Sequence, residues 1–162
     1  MTELTKEERL AALREARVVL VSACLVGQHC RYDGKSKRSE RVRQALEGKE
    51  VVPMCPEAAA GMGIPRPPVE LSGGTGEAVL AGQARVVVVG TSEDRTAQMR
   101  RGAEMALKAA QRFGATVAVL KERSPSCGTL GTHVDGVVVP GRGVAAALLH
   151  SAGITVLSDE DL

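Results

Sequence analysis

The sequence predicts a single α/β domain, a Rossmann-like parallel sheet with helices on both faces. Short β-branched runs alternate with segments of helical periodicity, the pattern of a parallel sheet with crossover helices. The runs lack polar alternation, which fits strands covered on both sides. The length, 162 residues, suits one domain, and no linker divides it.

The elements follow in order. Residues 5–17 read as a helix: Thr5 and Glu8 fit a capping box, and Leu10 and Leu13 with nearby alanines form an apolar face. Residues 18–22 (VVLVS) are a buried strand running into Ala23 and Cys24. The polar loop GQHCRYDGKS follows, with Asp33-Gly34 as its turn signal. Residues 41–47 are helical, with Gly48 as the stop, and 50–54 form a second strand leading to Cys55. The stretch IPRPPVEL cannot be a regular helix, because its prolines hold the chain extended and remove amide donors. SGGTGE reads as a surface turn or mobile loop. The valine run 84–89 is the strongest strand signal. Residues 92–113 repeat Met99, Ala103, Ala106, Leu107 and Ala110 at helical steps and stop at Gly114. Residues 116–120 are a further buried strand, followed by the loop KERSPSCGTLGTH. Residues 136–139 are extended, 143–151 form an Ala/Leu helix, and 154–157 close the sheet. The organisation is thus an N-terminal helix (1–17) ahead of an α/β domain (18–162).

Composition removes several classes of function. The formal net charge of +2 is too small to mark a nucleic-acid surface. Tyr32 and Phe113 are the sole aromatics, too few to stack single-stranded bases. No apolar run approaches the roughly 20 residues of a membrane span, and the charged start MTELTKEERL lacks the apolar core of a signal peptide. The expected location is the cytoplasm. There the four cysteines, Cys24, Cys30, Cys55 and Cys127, are expected as thiols or metal ligands rather than disulfides. SGGTG opens no helix after a strand, so it is not a dinucleotide fingerprint.

Cys24 and Cys55 lie just beyond the first two strands, and Cys127 lies in the loop after a later one. Ligands of open α/β sheets bind beyond the carboxyl ends of the strands. If the strands are parallel, topology delivers three distant thiols to one crevice. Three thiols suggest a metal centre: zinc with Cys30 or His29 as fourth ligand, or an iron–sulfur cluster. Held by three cysteines alone, a cluster keeps one iron open as a Lewis acid. Spacing does not choose between these, nor does it exclude thiols buried simply as small hydrophobes.

The strings VSACLVGQHCRYDGKS, VVPMCPE, GIPRPPVEL, LKERSPSCG and DGVVVPGRGVAAALL run in order from 18 to 157 and resemble the TudS-type thiouracil desulfidase family. The resemblance implies an oxygen-sensitive 4Fe-4S cluster held by Cys24, Cys55 and Cys127. Its open iron takes the sulfur of a thiocarbonyl substrate, turning 2-thiouracil into uracil and sulfide. Cys30 matches a further recurring cysteine rather than a ligand. The family's catalytic Glu and Ser match Glu57 and Ser124.

The neighbouring residue types suit that chemistry. Glu57, two residues past Cys55 at the start of a helix, can activate water as general base, or simply favour the helix dipole. Ser124 and Ser126 flank Pro125; a hydroxyl there can contact the substrate ring or relay a proton, or merely shape a Ser-Pro turn. Tyr32 can stack on a pyrimidine at the entrance, with Arg31 and Asp33 beside it. Arg66, within a rigid proline wall, either pairs an acid or touches substrate. His133 reads as a solvated loop residue. The expected partner is a small thiolated pyrimidine or thioamide, with no nucleic acid and no membrane. The competing readings are a zinc-binding or metal-free accessory module and a redox pair formed by Cys24 and Cys30.

Overall fold

The computed structural model describes residues 3–162, so Met1 and Thr2 of the 1–17 segment lie outside the described residues. Helix α1 spans Lys6–Glu15, with Thr5 and Glu8 in the reciprocal capping box, and buries Leu13. Strand β1 (Val18–Ser22) runs into a 3-10 turn (Ala23–Val26). Helix α2 (Glu40–Ala45), strand β2 (Glu50–Met54) and the short helix α3 (Pro56–Ala59) follow. Next come strand β3 (Val69–Ser72), helix α4 (Gly76–Leu80) and strand β4 (Arg85–Val88). Helix α5 (Thr96–Phe113) leads to strands β5 (Val117–Leu120), β6 (Gly131–Val134) and β7 (Val137–Pro140). Helix α6 (Val144–Ser151) and strand β8 (Thr155–Ser158) complete the α/β pattern.

The expected parallel sheet is present, in the order β2-β1-β5-β8 with every pair parallel. Alternate residues of β1 feed different cores. Val19 and Val21 pack with Leu13, Val42 and Leu157, whereas Leu20 packs with Ala106, Ala110 and Leu149. Both faces are therefore covered at the central strands β1 and β5, which is why these read as apolar runs, whereas the edge strand β2 exposes Glu50 and Pro53.

A second sheet, β4-β3-β6-β7, departs from the expectation. Its two hairpin-like pairs are antiparallel, and β3 and β6 join them in parallel. The valine run lies in β4, outside the parallel sheet, and the extended 136–139 piece is the edge strand β7. An apolar run reports burial, not direction, so the sequence pattern could not assign either. The segment read as a surface turn or mobile loop bends at Gly73 and Gly74 and then enters α4. There the Gly76 amide donates to the Arg142 carbonyl at 2.7 Å, so glycine serves close backbone packing rather than mobility. Helix α5 starts at Thr96 rather than 92, because Asp94 Oδ1 accepts the Thr96 amide and sets the start there.

Alanines line the contact of α5 with α6, which lets the helices approach closely. Gly102 brings α5 still nearer α3, since a Cβ on it would overlap the Pro56 carbonyl oxygen. Gly102→Ala is therefore expected to destabilise the chain by about 1–3 kcal/mol, despite alanine's better helix propensity. Thermal melting checks this, and an unchanged midpoint would show that α3 has room to move. Among the described residues, no helix is long and apolar enough to cross a membrane.

Candidate active site

Strands β1, β2 and β5 end on the same edge of the parallel sheet, with Ser22 in register with Met54 and Val21 with Val119. The residues that follow each strand therefore converge. Cys24 sits in the 3-10 turn after β1, Cys55 is the N-cap of α3, and Cys127 lies in the loop after β5. All three line one cavity of about 600 Å³. Glu57, Arg66, Ser124, Ser126, Tyr32 and Arg31 line it as well, whereas His29 and Asp33, also singled out from the sequence, are not in its wall. Cys30 and His133 are also in its wall, the latter exposed on β6 between buried Thr132 and Val134. Among the described residues, no three His, Cys, Asp or Glu side chains close around a point that would hold a single ion. The thiols stand around a space instead.

Burial and neighbours set each thiol differently. Burial pushes the Cys127 thiol up to about 12, against an opposing hydrogen bond from Ser22, and the nearby Cys55 and Cys24 add to the rise. Burial likewise raises Cys24, partly offset by the Arg31 guanidinium. Cys55 is lowered, chiefly because the Cys30 thiol can donate to its thiolate, with the Ala58 amide of α3 and Arg66 assisting. Cys30, the donor, is raised correspondingly. When Cys55 is itself protonated, its sulfur lies 3.6 Å from the Cys30 carbonyl oxygen, within reach as a donor. The thiolate is the nucleophile, so alkylation speeds up as pH rises through a thiol's pKa. In the metal-free chain Cys55 is expected to alkylate at lower pH than Cys24 or Cys127. Cys30→Ala should move the Cys55 midpoint upward. Peptide mapping across a pH series checks both; Cys127 reacting first would contradict the assignment.

Glu57 enters from the first turn of α3 and is held at both oxygens. Arg66 Nε donates to Oε1 at 3.1 Å, and Ser126 Oγ donates to Oε2 at 3.1 Å. Ser124 Oγ lies 3.0 Å from Ser126 Oγ. Because the Ser126 proton points to Glu57, Ser124 is the donor in that contact. The result is a hydrogen-bonded chain from Ser124 through Ser126 to Glu57. Ser124 Oγ also accepts the Ser126 and Cys127 amides, at 3.2 and 3.1 Å. Arg66 is fixed in turn by the Gly63 carbonyl at 2.7 Å, and its Nη2 lies 4.0 Å from Cys55 Sγ. Of the two alternatives the sequence left for Arg66, the structure has it pairing an acid. Tyr32 stands at the mouth, 41% exposed, with the Arg31 guanidinium 5.8 Å from its ring centroid.

Sequence reasoning missed Glu122. It is buried, lines the same cavity, and gathers four backbone amides of the Cys127 loop on Oε1. A lone acidic residue just past a strand carries no signal of such a role.

A family model described as 2-thiouracil desulfurase matches residues 19–161. The chain belongs to the 2-thiouracil desulfurase family. The matched desulfurase span takes in both sheets and the whole cavity wall, and begins after α1. A relative from Bacillus subtilis (strain 168), named Uncharacterized protein YbbK, is 43% identical over 149 residues. The alignment covers 90% of this desulfurase-family chain and 97% of the relative. The fold also matches a solved structure, that of a 4Fe-4S-dependent thiouracil desulfidase, TudS, with a TM-score of 0.76 and 39% identity. That match covers 90% of this chain and 93% of the other.

Proposed function

We propose that this chain is a 4Fe-4S-dependent desulfidase that hydrolyses the C=S bond of a thiolated pyrimidine such as 2-thiouracil, giving uracil and sulfide. The observation that carries the reading is the meeting of Cys24, Cys55 and Cys127 with Glu57 in one cavity. Three thiols are the soft donor set that iron–sulfur clusters take. The cavity's volume falls within the roughly 300–1,000 Å³ of pockets that enclose small ligands. Cys24, Cys55 and Cys127 would hold the cluster, and Cys30 would stay outside the ligand set. When bound, the cluster supplies an iron without a protein ligand, a Lewis acid that polarises the thiocarbonyl sulfur.

The chain's own residues handle the water and its protons. Glu57 takes a proton from the water that attacks the thiocarbonyl carbon. Each of its oxygens keeps a lone pair beyond the bonds from Arg66 and Ser126, so it is oriented without being saturated. The Ser126 and Ser124 hydroxyls can pass that proton along and return it to the departing sulfur. Oxygen from water ends on the ring carbon, and the sulfur leaves as sulfide. Tyr32 offers its ring to the pyrimidine at the entrance. Arg66 aims the Glu57 carboxylate through its Nε bond, and from the same cavity wall it can also contact the substrate.

The test is anaerobic reconstitution, followed by iron, zinc and labile-sulfide analysis and a 2-thiouracil turnover assay. Iron and labile sulfide in equal amounts, with sulfide released from substrate, is the expected result. Zinc without iron and no turnover would overturn the reading in favour of an accessory module. Arg66→Met should lose turnover and also destabilise the chain by about 3–5 kcal/mol, because it strands a buried carboxylate. Denaturant unfolding of the metal-free protein reads that loss; a shift under about 1 kcal/mol would show that the ion pair contributes little.

A further inference from the structure

We propose that Glu122 is a positioning residue that fixes the shape of the Cys127 loop before any cluster binds, by gathering the loop's backbone amides on one carboxylate oxygen. The inference rests on the desulfidase reading for its catalytic consequence. Its structural content stands on the loop itself.

Glu122 Oε1 accepts the amides of Arg123 and Thr129 at 3.1 Å, Leu130 at 3.0 Å and Gly131 at 2.9 Å. These donors lie on either side of the Ser124–Cys127 stretch, so a single oxygen ties the two ends of the loop together. The loop's carbonyls are satisfied elsewhere. Those of Pro125 and Ser126 accept the Val144 and Ala146 amides at the start of α6, and that of Gly128 accepts the Gly143 amide. The amides at the two ends of the loop thus go to Glu122, those of Ser126 and Cys127 at its centre go to Ser124 Oγ, and three of its carbonyls go to the start of α6.

Glu122 is itself anchored, since its amide donates to Asp159 Oδ1 at 2.8 Å. Arg123, next in the chain, has φ +65, a left-handed conformation that a bulky residue adopts only when its surroundings enforce it. Burial alone would raise the Glu122 carboxyl, but the Ser158 hydroxyl and the backbone amides hold it below the usual carboxylate value. The charged form is the stronger acceptor. Ser158 lies near the carboxylate without a well-aligned bond to Oε2, which is enclosed and unpartnered among the described residues.

The test is amide hydrogen exchange, read by NMR on the metal-free protein, in wild type, Glu122→Gln and Glu122→Ala. Glutamine keeps the shape and a neutral acceptor. Exchange at Thr129, Leu130 and Gly131 is expected to be about tenfold faster in Glu122→Gln and faster still in Glu122→Ala, with Val19 and Ala118 in the parallel sheet unchanged. In the reconstituted enzyme kcat should fall about a hundredfold in Glu122→Ala, with KM for 2-thiouracil within about twofold and a smaller loss in Glu122→Gln. Wild-type exchange rates at those amides in Glu122→Gln would overturn the proposal, and that measurement remains decisive if Glu122→Ala does not fold. The exchange experiment needs no turnover. If wild type fails to act on thiouracil, the functional reading fails while Glu122 is still judged on its own.

Discussion

Glu57→Gln is expected to cut sulfide release from 2-thiouracil by about 10²–10⁴-fold while iron and labile-sulfide content stay at the wild-type level. Glutamine fills the same volume on α3, and its oxygen can still accept from Arg66 Nε. What it cannot do is take a proton from water. The carboxylate lies against Arg66 and Ser126, not against a cysteine sulfur, so its loss leaves the thiols where they are. A variant that holds its iron but does not turn over separates water activation from cluster assembly. Anaerobic single-turnover kinetics with the reconstituted protein is the measurement. Wild-type turnover in Glu57→Gln would remove Glu57 as the base and direct attention to the serine pair.

Cys24→Ala, Cys55→Ala and Cys127→Ala should each abolish iron binding and the brown colour, whereas Cys30→Ala should keep both. Each thiol comes from the end of a different strand, and the further cysteine of the cavity wall, Cys30, is already engaged with Cys55. The loss is in the metal site rather than in the fold. Cys24 and Cys127 are small buried side chains, and trimming them to alanine removes one atom each, an effect of about 1 kcal/mol on the metal-free protein. Circular dichroism melting alongside iron analysis distinguishes the two effects. Full iron in any one of the three variants would strike that cysteine from the ligand set, and loss of iron in Cys30→Ala would add Cys30 to it.

What could be read from the sequence was local or positional. The capping box of α1 needs Thr5 and Glu8 three residues apart, and the structure forms it at that spacing. The long helix α5 carries its apolar stripe in the spacing of Met99, Ala103, Ala106 and Ala110, and ends at a left-handed Gly114. The strands β1 and β5 appear as apolar runs and β2 as a shorter apolar stretch after Glu50, and the cysteines past them could be placed at one sheet edge by topology alone. The family strings then supplied roles for Glu57 and Ser124 that no spacing argument reaches.

The rest depended on contacts between distant parts of the chain. Strand direction and partner leave no mark on a short apolar run, so the second, mixed sheet and the strands β3 and β6 were invisible. Buried polar pairing is equally silent. Ser126 meets Glu57 across 69 residues, and its bond exists only because β2 and β5 flank the same central strand. Glu122 looks like any charged residue until the loop folds back and turns four amides toward it. Periodicity and capping are fixed by interactions within a few residues, and hence by the local order of side chains. The hydrogen bonds that aim a catalytic side chain are fixed by which segments the tertiary fold brings within 3 Å or so of each other.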